Sequence, residues 1–262
     1  MSSNTMGIKD YIVSLLNKDL RIDQRGLTDF RKPITIEYNV SENAEGSARV
    51  TMGETQVIAG IKLNVGVPYA DSPDQGVLIV GVELLPLSSP DFESGPPDAW
   101  ATELARVVDR GIRESEMIDV KKLCIRKGEL VWTIFLDIYT INDAGNLIDA
   151  SALAAVAALK HAFLPKLDGD KVLFGEHTKT KIPIVKTPVT VTAFKIGNKI
   201  IIDPTTNEEK SADARLSVAV SEKGVIHALQ KGGSKGLSFE DIEHMIDLAE
   251  QKSKELRKVI GE

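Results

Sequence analysis

The chain has 262 residues, of which 42% are hydrophobic and 27% are charged. These values are typical of a globular protein with a packed core, and they exclude a largely disordered chain. The formal net charge of −6 excludes a global basic field that would gather nucleic acid. Any contact with nucleic acid must therefore come from a local basic patch or from a site shared with a partner.

The sequence predicts a protein of a reducing compartment, and we expect it in the cytoplasm. Its single cysteine, Cys124, cannot form an internal disulfide and is interpreted as a small buried residue of a strand. No segment reaches the roughly 18 consecutive apolar residues that a membrane helix needs. Residues 1–10 also lack the basic and apolar regions of a signal peptide, so no membrane association is expected.

The first half of the chain begins with a helix and continues as strands. Residues 8–18 carry apolar side chains at helical spacing, whereas residues 34–40 alternate between apolar and polar. Further strands are predicted near 47–52, 55–65 and 77–85. Because their connections are short, they favour an antiparallel or mixed sheet.

A helix, a strand and a second helix complete this half. The sequence Pro96-Pro97-Asp98 predicts the start of a helix that runs to about residue 113. A strand is expected near 130–141. Asp149 is predicted to cap a helix over 150–162, which is apolar nearly all round and should be buried.

The second half repeats this order of strands followed by a helix. Residues 165–187 have little pattern and are interpreted as a linker or an irregular hairpin. Ser238 and Asp241 form a capping-box pattern that starts the last helix. Four strands are predicted before it, near 189–196, 199–203, 215–221 and 225–230.

The two halves predict two similar α+β units packed together. We divide the chain into an N-terminal helix and leading segment (1–30), a first unit (31–165), a linker (166–188) and a second unit (189–262).

Three arginines form a basic stripe on the helix that follows Pro97. Arg106, Arg110 and Arg113 are spaced i, i+4 and i+7, which places them within an arc of about 60°. Arginine is well suited to bidentate contacts with phosphate, so the stripe is a candidate surface for binding the phosphates of a nucleic acid. The alternative is a solvated helix face on which Arg106 and Arg110 pair with Glu103, Asp109 or Glu114.

No other cluster predicts a cofactor or a metal. Lys231 to Gly236 precedes a helix, but its spacing is not that of a phosphate-binding loop, and a flexible connection is the preferred interpretation. The four histidines have no metal-ligand spacing. We therefore predict no metal and no cofactor.

Several short motifs, in this order, resemble the RNase PH family. Residues 25–33 resemble its N-terminal motif, and residues 45–57 resemble its first hairpin. Three further motifs resemble one branch, the non-catalytic RNase PH-like subunits of the archaeal exosome core. They are Gly95 to Asp98, Glu103 to Arg110, and Ile202 to Thr205 with the following Glu208 and Glu209.

The resemblance implies an α+β RNase PH fold, with two pseudo-symmetric halves of the kind also found in the second domain of ribosomal protein S5. It further implies a six-membered ring in which this type of subunit alternates with a catalytic sister. The ring degrades single-stranded RNA from the 3′ end with phosphate as the attacking group, and RNA-binding cap subunits sit on one face. Arg106 and Arg110 match positions of this branch that contact RNA.

Three departures from the catalytic relatives predict that this copy has no catalytic residues. Their phosphate-binding turn reads Asp-Ala-Gly-Thr-Arg, whereas residues 143–147 place Leu147 at the arginine position. Their acidic pair aligns with Glu209 and Arg215, although Asp213 takes the second role if the register shifts. Paired arginines of the relatives are replaced around Asp98 to Trp100.

Three hypotheses follow. The first is a structural, RNA-contacting subunit that completes the partner's active site. The second is an active phosphate-dependent 3′-5′ exoribonuclease that uses Asp213. The third is a free RNA-binding module, which the net charge disfavours.

Overall fold

The computed structural model describes residues 3–262, with side chains from residue 7 onward, so residues 1 and 2 of the predicted segment 1–30 lie outside the described residues. The helices are α1 (Ser3–Leu16), α2 (Ala99–Glu114), α3 (Leu147–Lys160), α4 (Thr206–Lys210) and α5 (Phe239–Ile260). The strands of the first half are β1 (Ile34–Tyr38), β2 (Gly46–Met52), β3 (Thr55–Gly66), β4 (Val77–Glu83), β5 (Cys124–Arg126) and β6 (Leu130–Asn142). Those that follow are β7 (Phe163–Asp168), β8 (Lys171–Lys181), β9 (Val189–Ile196), β10 (Lys199–Ile202), β11 (Ala214–Val220) and β12 (Ile226–Gly232).

The first half contains a mixed sheet in the order β1-β2-β3-β6-β4, as the short connections predicted. Neighbours in this order are antiparallel, except that β4 runs parallel to β6. The parallel pair is possible because α2 lies between the two strands in the chain and supplies the crossover. The second half contains an antiparallel sheet in the order β10-β9-β11-β12.

Helix α3 lies in the centre of the molecule, and all of residues 147–159 are buried, which confirms the prediction of a buried helix. On the second sheet, Thr192 contacts Asp149 of α3 and Lys195 contacts Asp241 of α5. Because side chains alternate along a strand, α3 and α5 lie on opposite faces of that sheet.

The start of α3 differs from the prediction. The helix begins at Leu147, and its N-cap is Asn146, whose backbone is left-handed with φ 58°. Asp149 lies inside the first turn, where its carboxylate accepts hydrogen bonds from Thr192 and does not cap the helix. Because of the tight turn before Asn146, the helix begins three residues earlier in the chain than the predicted Ala150.

Three further features of the structure can be compared with the predictions. Of the two interpretations for residues 165–187, the hairpin is the one observed, because β7 and β8 pair over Phe163 to Lys181 with two register shifts. Helix α4 was not predicted, and its five residues are too few for a periodic pattern. Cys124 lies in β5 as predicted, but it is half-buried and not fully buried.

Candidate functional site

The turn between β6 and α3 is closed by hydrogen bonds within the protein. Three successive backbone N–H groups, which could otherwise face an anion, each donate to an oxygen of this chain. The pairs are Ala144 to Thr55 Oγ1 (3.2 Å), Gly145 to Asp143 Oδ1 (2.9 Å) and Asn146 to Glu209 Oε2 (2.8 Å). An anion at this turn would have to displace a carboxylate, which carries the same sign of charge.

Leu147 gives this turn no cationic side chain. It is 2% exposed and packs in the main core together with the rest of α3. A hydrophobic side chain buried in this way offers neither charge nor a hydrogen bond to a phosphate. The backbone of residues 144–146, which the sequence left open as a weak anion site, is already engaged.

Gly145 allows the second half to approach the turn closely. Its φ is +102°, and a Cβ at this position would lie 2.5 Å from the carbonyl oxygen of Pro204. Only glycine combines that backbone conformation with that proximity. The turn is therefore a contact between the two halves as well as the start of α3.

A buried ion pair fixes the turn from the other side. The guanidinium of Arg31 binds Asp203 through Nη2–Oδ1 at 2.7 Å and Nε–Oδ2 at 3.0 Å. It also donates to the carbonyl oxygens of Ala144 and Gly145. Asp203 is fully buried and accepts a further hydrogen bond from the side chain of Asn146 at 3.1 Å. This network joins the start of the first half, the turn and the second half.

Asp149 is a buried carboxylate directly beneath the turn. It accepts hydrogen bonds from the N–H and the hydroxyl of Thr192, at 3.1 and 2.7 Å, and from Asn146 Nδ2 at 3.0 Å. These donors favour the ionised form, but burial outweighs them and raises the pKa of Asp149 to about 7, with the charge of Asp203 adding to the rise.

We expect the free energy of unfolding to fall as the pH rises from about 4 to about 7, because the folded chain retains a proton on Asp149 that the unfolded chain has already released. In Asp149→Asn, the part of this pH dependence that comes from the buried proton should vanish. Urea unfolding of both proteins across this pH range measures the difference. Identical slopes would contradict the assignment of the buried proton to Asp149.

Glu209 and Arg215 occupy the positions that the sequence aligns with the acidic pair of the catalytic relatives. Burial raises the pKa of Glu209, and the nearby Asp143 adds to this rise, whereas Arg215 and Arg31 oppose it. Arg215 binds Glu103 of α2 at 2.7 Å, and its guanidinium lies 5.1 Å from the centre of the Trp100 ring. The cation therefore belongs to a packed contact between β11 and α2.

Asp213 is bound by two lysines and a backbone N–H group. Its carboxylate accepts from Lys9 at 2.7 Å and from Gly197 N–H at 2.9 Å, and it pairs with Lys235 at 3.0 Å. Burial alone would raise the pKa of Asp213, but these donors outweigh burial and lower it to about 2. A carboxylate with so low a pKa is a poor general base near neutral pH.

The basic stripe is exposed along its whole length. Arg113 is held by Asp109 at 2.7 Å and also donates to the carbonyl oxygen of Leu78. Within residues 7–262, Arg106 and Arg110 form no ion pair, and Glu103, one of their predicted partners, binds Arg215 instead. Two unpaired guanidiniums thus face solvent on one side of α2.

Across the described part of the chain, no group of three or more His, Cys, Asp or Glu side chains is arranged to hold a metal ion. Among these same residues, the helices are too short or too polar to span a bilayer.

The fold and the closed turn define a class of protein, and comparison of the sequence with known families identifies that class. Residues 31–165 match domain 1 of the 3′ exoribonuclease family, RNase PH, and residues 186–252 match its domain 2. The chain belongs to this family, and the predicted RNase PH fold is confirmed.

Within this family, the chain is similar to components of archaeal exosomes. The exosome complex component Rrp42 of Pyrococcus furiosus is 44% identical over 261 residues, which cover 97% of this chain and 92% of the relative. Rrp42 of Methanosarcina acetivorans is 47% identical over 249 residues, covering 95% and 91%. A chain of the Archaeoglobus fulgidus exosome with RNA bound to the active site superimposes with a TM-score of 0.89 at 43% identity, covering 98% and 99%. The predicted resemblance to the exosome branch is confirmed.

Proposed function

We propose that this chain is a non-catalytic ring subunit of an exosome that degrades RNA from the 3′ end by phosphorolysis. The observation that carries the proposal is the closed turn at 144–146, whose N–H groups are taken by Thr55, Asp143 and Glu209. Phosphorolysis requires an anion cradle and stabilisation of charge at the scissile phosphodiester. This chain supplies neither at the turn.

The proposed partners follow from the relatives. The chain would alternate with a catalytic RNase PH-like subunit in a hexameric ring, carry RNA-binding caps on one face, and act on single-stranded RNA in the cytoplasm. Its likeness to a chain of an RNA-bound exosome supports this arrangement. In such a ring, the chain would shape the active site of its neighbour.

The arginine stripe would form one wall of the RNA path. Arg106 and Arg110 are exposed and without an ion-pair partner among the described residues, so their charges are available to phosphates. Arg113 extends the stripe, although Asp109 already holds part of its guanidinium. On a chain with a net charge of −6, this local group provides the attraction that the chain as a whole lacks.

Replacing Arg106 and Arg110 together by alanine should weaken RNA binding by the mixed ring. If each arginine neutralises one phosphate, the slope of log K against log salt should fall by about 1.4 for single-stranded RNA. Turnover at limiting RNA should fall in parallel. Fluorescence anisotropy over a salt series and a phosphate-dependent degradation assay measure the two effects.

The matched control is Arg126→Ala with Lys127→Ala, which removes two exposed positive charges at β5. It should leave both the affinity and the salt slope unchanged. Equal losses in the two double variants would mean that the stripe contributes only to the net charge, and the proposed RNA wall would be rejected.

A further inference from the structure

Within the described residues, one face of the first sheet has no helix packed against its centre. Along β6, Leu136 and Ile138 are fully buried, whereas the residues that alternate with them, Phe135, Asp137 and Tyr139, are half-buried. Strand β3 shows the same alternation, because every second residue from 56 to 62 is half-buried. Since side chains alternate between faces, the buried set points to α3 and the half-buried set points to the solvent.

A notch lies in the middle of this open face. Asp137 is flanked by glycines on both neighbouring strands, Gly60 on β3 and Gly81 on β4. A Cβ added at Gly60 would meet no atom within 4 Å, so nothing within the described chain requires a glycine there. Glycine weakens a strand and often marks a position where a ligand or another chain approaches closely.

The carboxylate in this notch lacks a counter-charge. Within the described residues, Asp137 accepts no hydrogen bond and forms no ion pair; burial raises its pKa, and the nearby Glu83 raises it further. Lys62 lies on the same face opposite Phe135, but its ammonium binds Glu45 at 2.7 Å. An unpaired, half-buried carboxylate is costly to a free subunit, and a cation from outside would offset that cost.

The shape of the notch selects among cations. Phe135 and Tyr139 precede and follow Asp137 on the same face, so aromatic rings stand on either side of the carboxylate. A planar guanidinium can stack on such rings and bind a carboxylate with two parallel hydrogen bonds, whereas an ammonium cannot do both. The negative charges of Asp137 and Glu83 would repel RNA phosphates.

We propose that this face docks a neighbouring RNase PH-like subunit and that the notch between Gly60 and Gly81 receives an arginine side chain of that subunit. The inference rests on the proposed function, because it takes the partner to be the catalytic sister. It adds the surface, the residue that anchors it and the chemistry of the group that binds. Gly60 leaves open space through which the incoming guanidinium can reach the carboxylate, whereas a Cβ at Gly81 would lie 3.1 Å from Asp137 Oδ1 and crowd it.

The test compares assembly of the full-length chain and its variants with the catalytic sister by light scattering and titration. Asp137→Arg, Asp137→Asn and Gly60→Thr should each weaken the association by about thirtyfold or more, as expected when one partner of a buried interfacial charge pair is lost or blocked. Threonine suits a strand, and the space at Gly60 is open, so this variant should fold normally. Asp137→Asn should make the free chain more stable to heat while weakening assembly, which a merely structural role would not produce.

The control is Glu243→Arg, the same charge reversal at an exposed position of α5, and it should assemble normally. If the unaltered chain fails to assemble with the sister, the proposed function fails before the inference is reached. If it assembles and the Asp137 and Gly60 variants do so equally well, the docking face is wrong and the proposed function stands. Self-association of the chain that Asp137→Arg abolishes would mean that the occupant is a second copy, and this also overturns the inference.

Discussion

Replacing Asp203 by alanine should lower the free energy of unfolding by about 3 to 5 kcal/mol, the range for removing one partner of a buried ion pair. The Asp203 side chain is fully buried and accepts from the backbone N–H, Nε and Nη2 of Arg31. Without the carboxylate, the guanidinium of Arg31 loses its counter-charge, and because it is buried, water cannot take the place of that partner. Urea unfolding at neutral pH measures the loss.

Two further variants separate charge from other effects of Asp203. Its backbone is left-handed with φ 50°, which asparagine tolerates well, so Asp203→Asn removes the charge without adding backbone strain. We expect Asp203→Asn to lose most of the free energy of unfolding that Asp203→Ala loses. Asp170→Ala, which breaks the exposed pair with Arg126, should change stability little. If Asp203→Ala were as stable as the parent chain, the network would not hold the two halves together.

Replacing Glu209 by alanine should open the turn to phosphate. The variant frees the N–H of Asn146 and leaves Arg215 without the nearby carboxylate that partly offsets its charge. Inorganic phosphate should then stabilise the folded variant, by about 2.7 kcal/mol when its concentration is 100 times the dissociation constant. The parent chain should show no such specific stabilisation.

Thermal unfolding in phosphate and in chloride at equal ionic strength makes this comparison. Glu243→Ala removes one carboxylate from an exposed part of α5 and controls for the change in net charge. Should phosphate stabilise all three proteins alike, Glu209 would not be the group that closes the turn.

Local sequence signals were sufficient for most of the fold. The alternation in β1 and the capping box of Ser238 with Asp241 each depend on residues close together in the chain, and each is observed. The start of α3 was missed because Asn146 adopts a left-handed backbone that no local pattern announces. The β7–β8 hairpin carries no clear alternation because it is largely exposed and its pairing shifts register.

The candidate site was only partly accessible from the sequence. Leu147, Arg215 and Trp100 were each recognised as departures from the catalytic relatives, but their relation was not. In the structure, Arg215 lies over Trp100 and binds Glu103, so two of the three departures form one contact. These residues are more than a hundred positions apart in the chain, and only the fold brings them together. The role of Glu209 at the turn was missed for the same reason.

The central claim is that this chain contributes to phosphorolysis only through a partner. End-labelled single-stranded RNA, incubated with phosphate, should remain intact with the purified chain alone and should be shortened from its 3′ end once the catalytic sister is added. The rate of shortening by the mixture should also exceed that by the sister alone, because we propose that this chain completes the ring. Phosphate-dependent shortening by the chain alone, abolished in Asp213→Asn, would contradict the account and establish Asp213 as a catalytic residue.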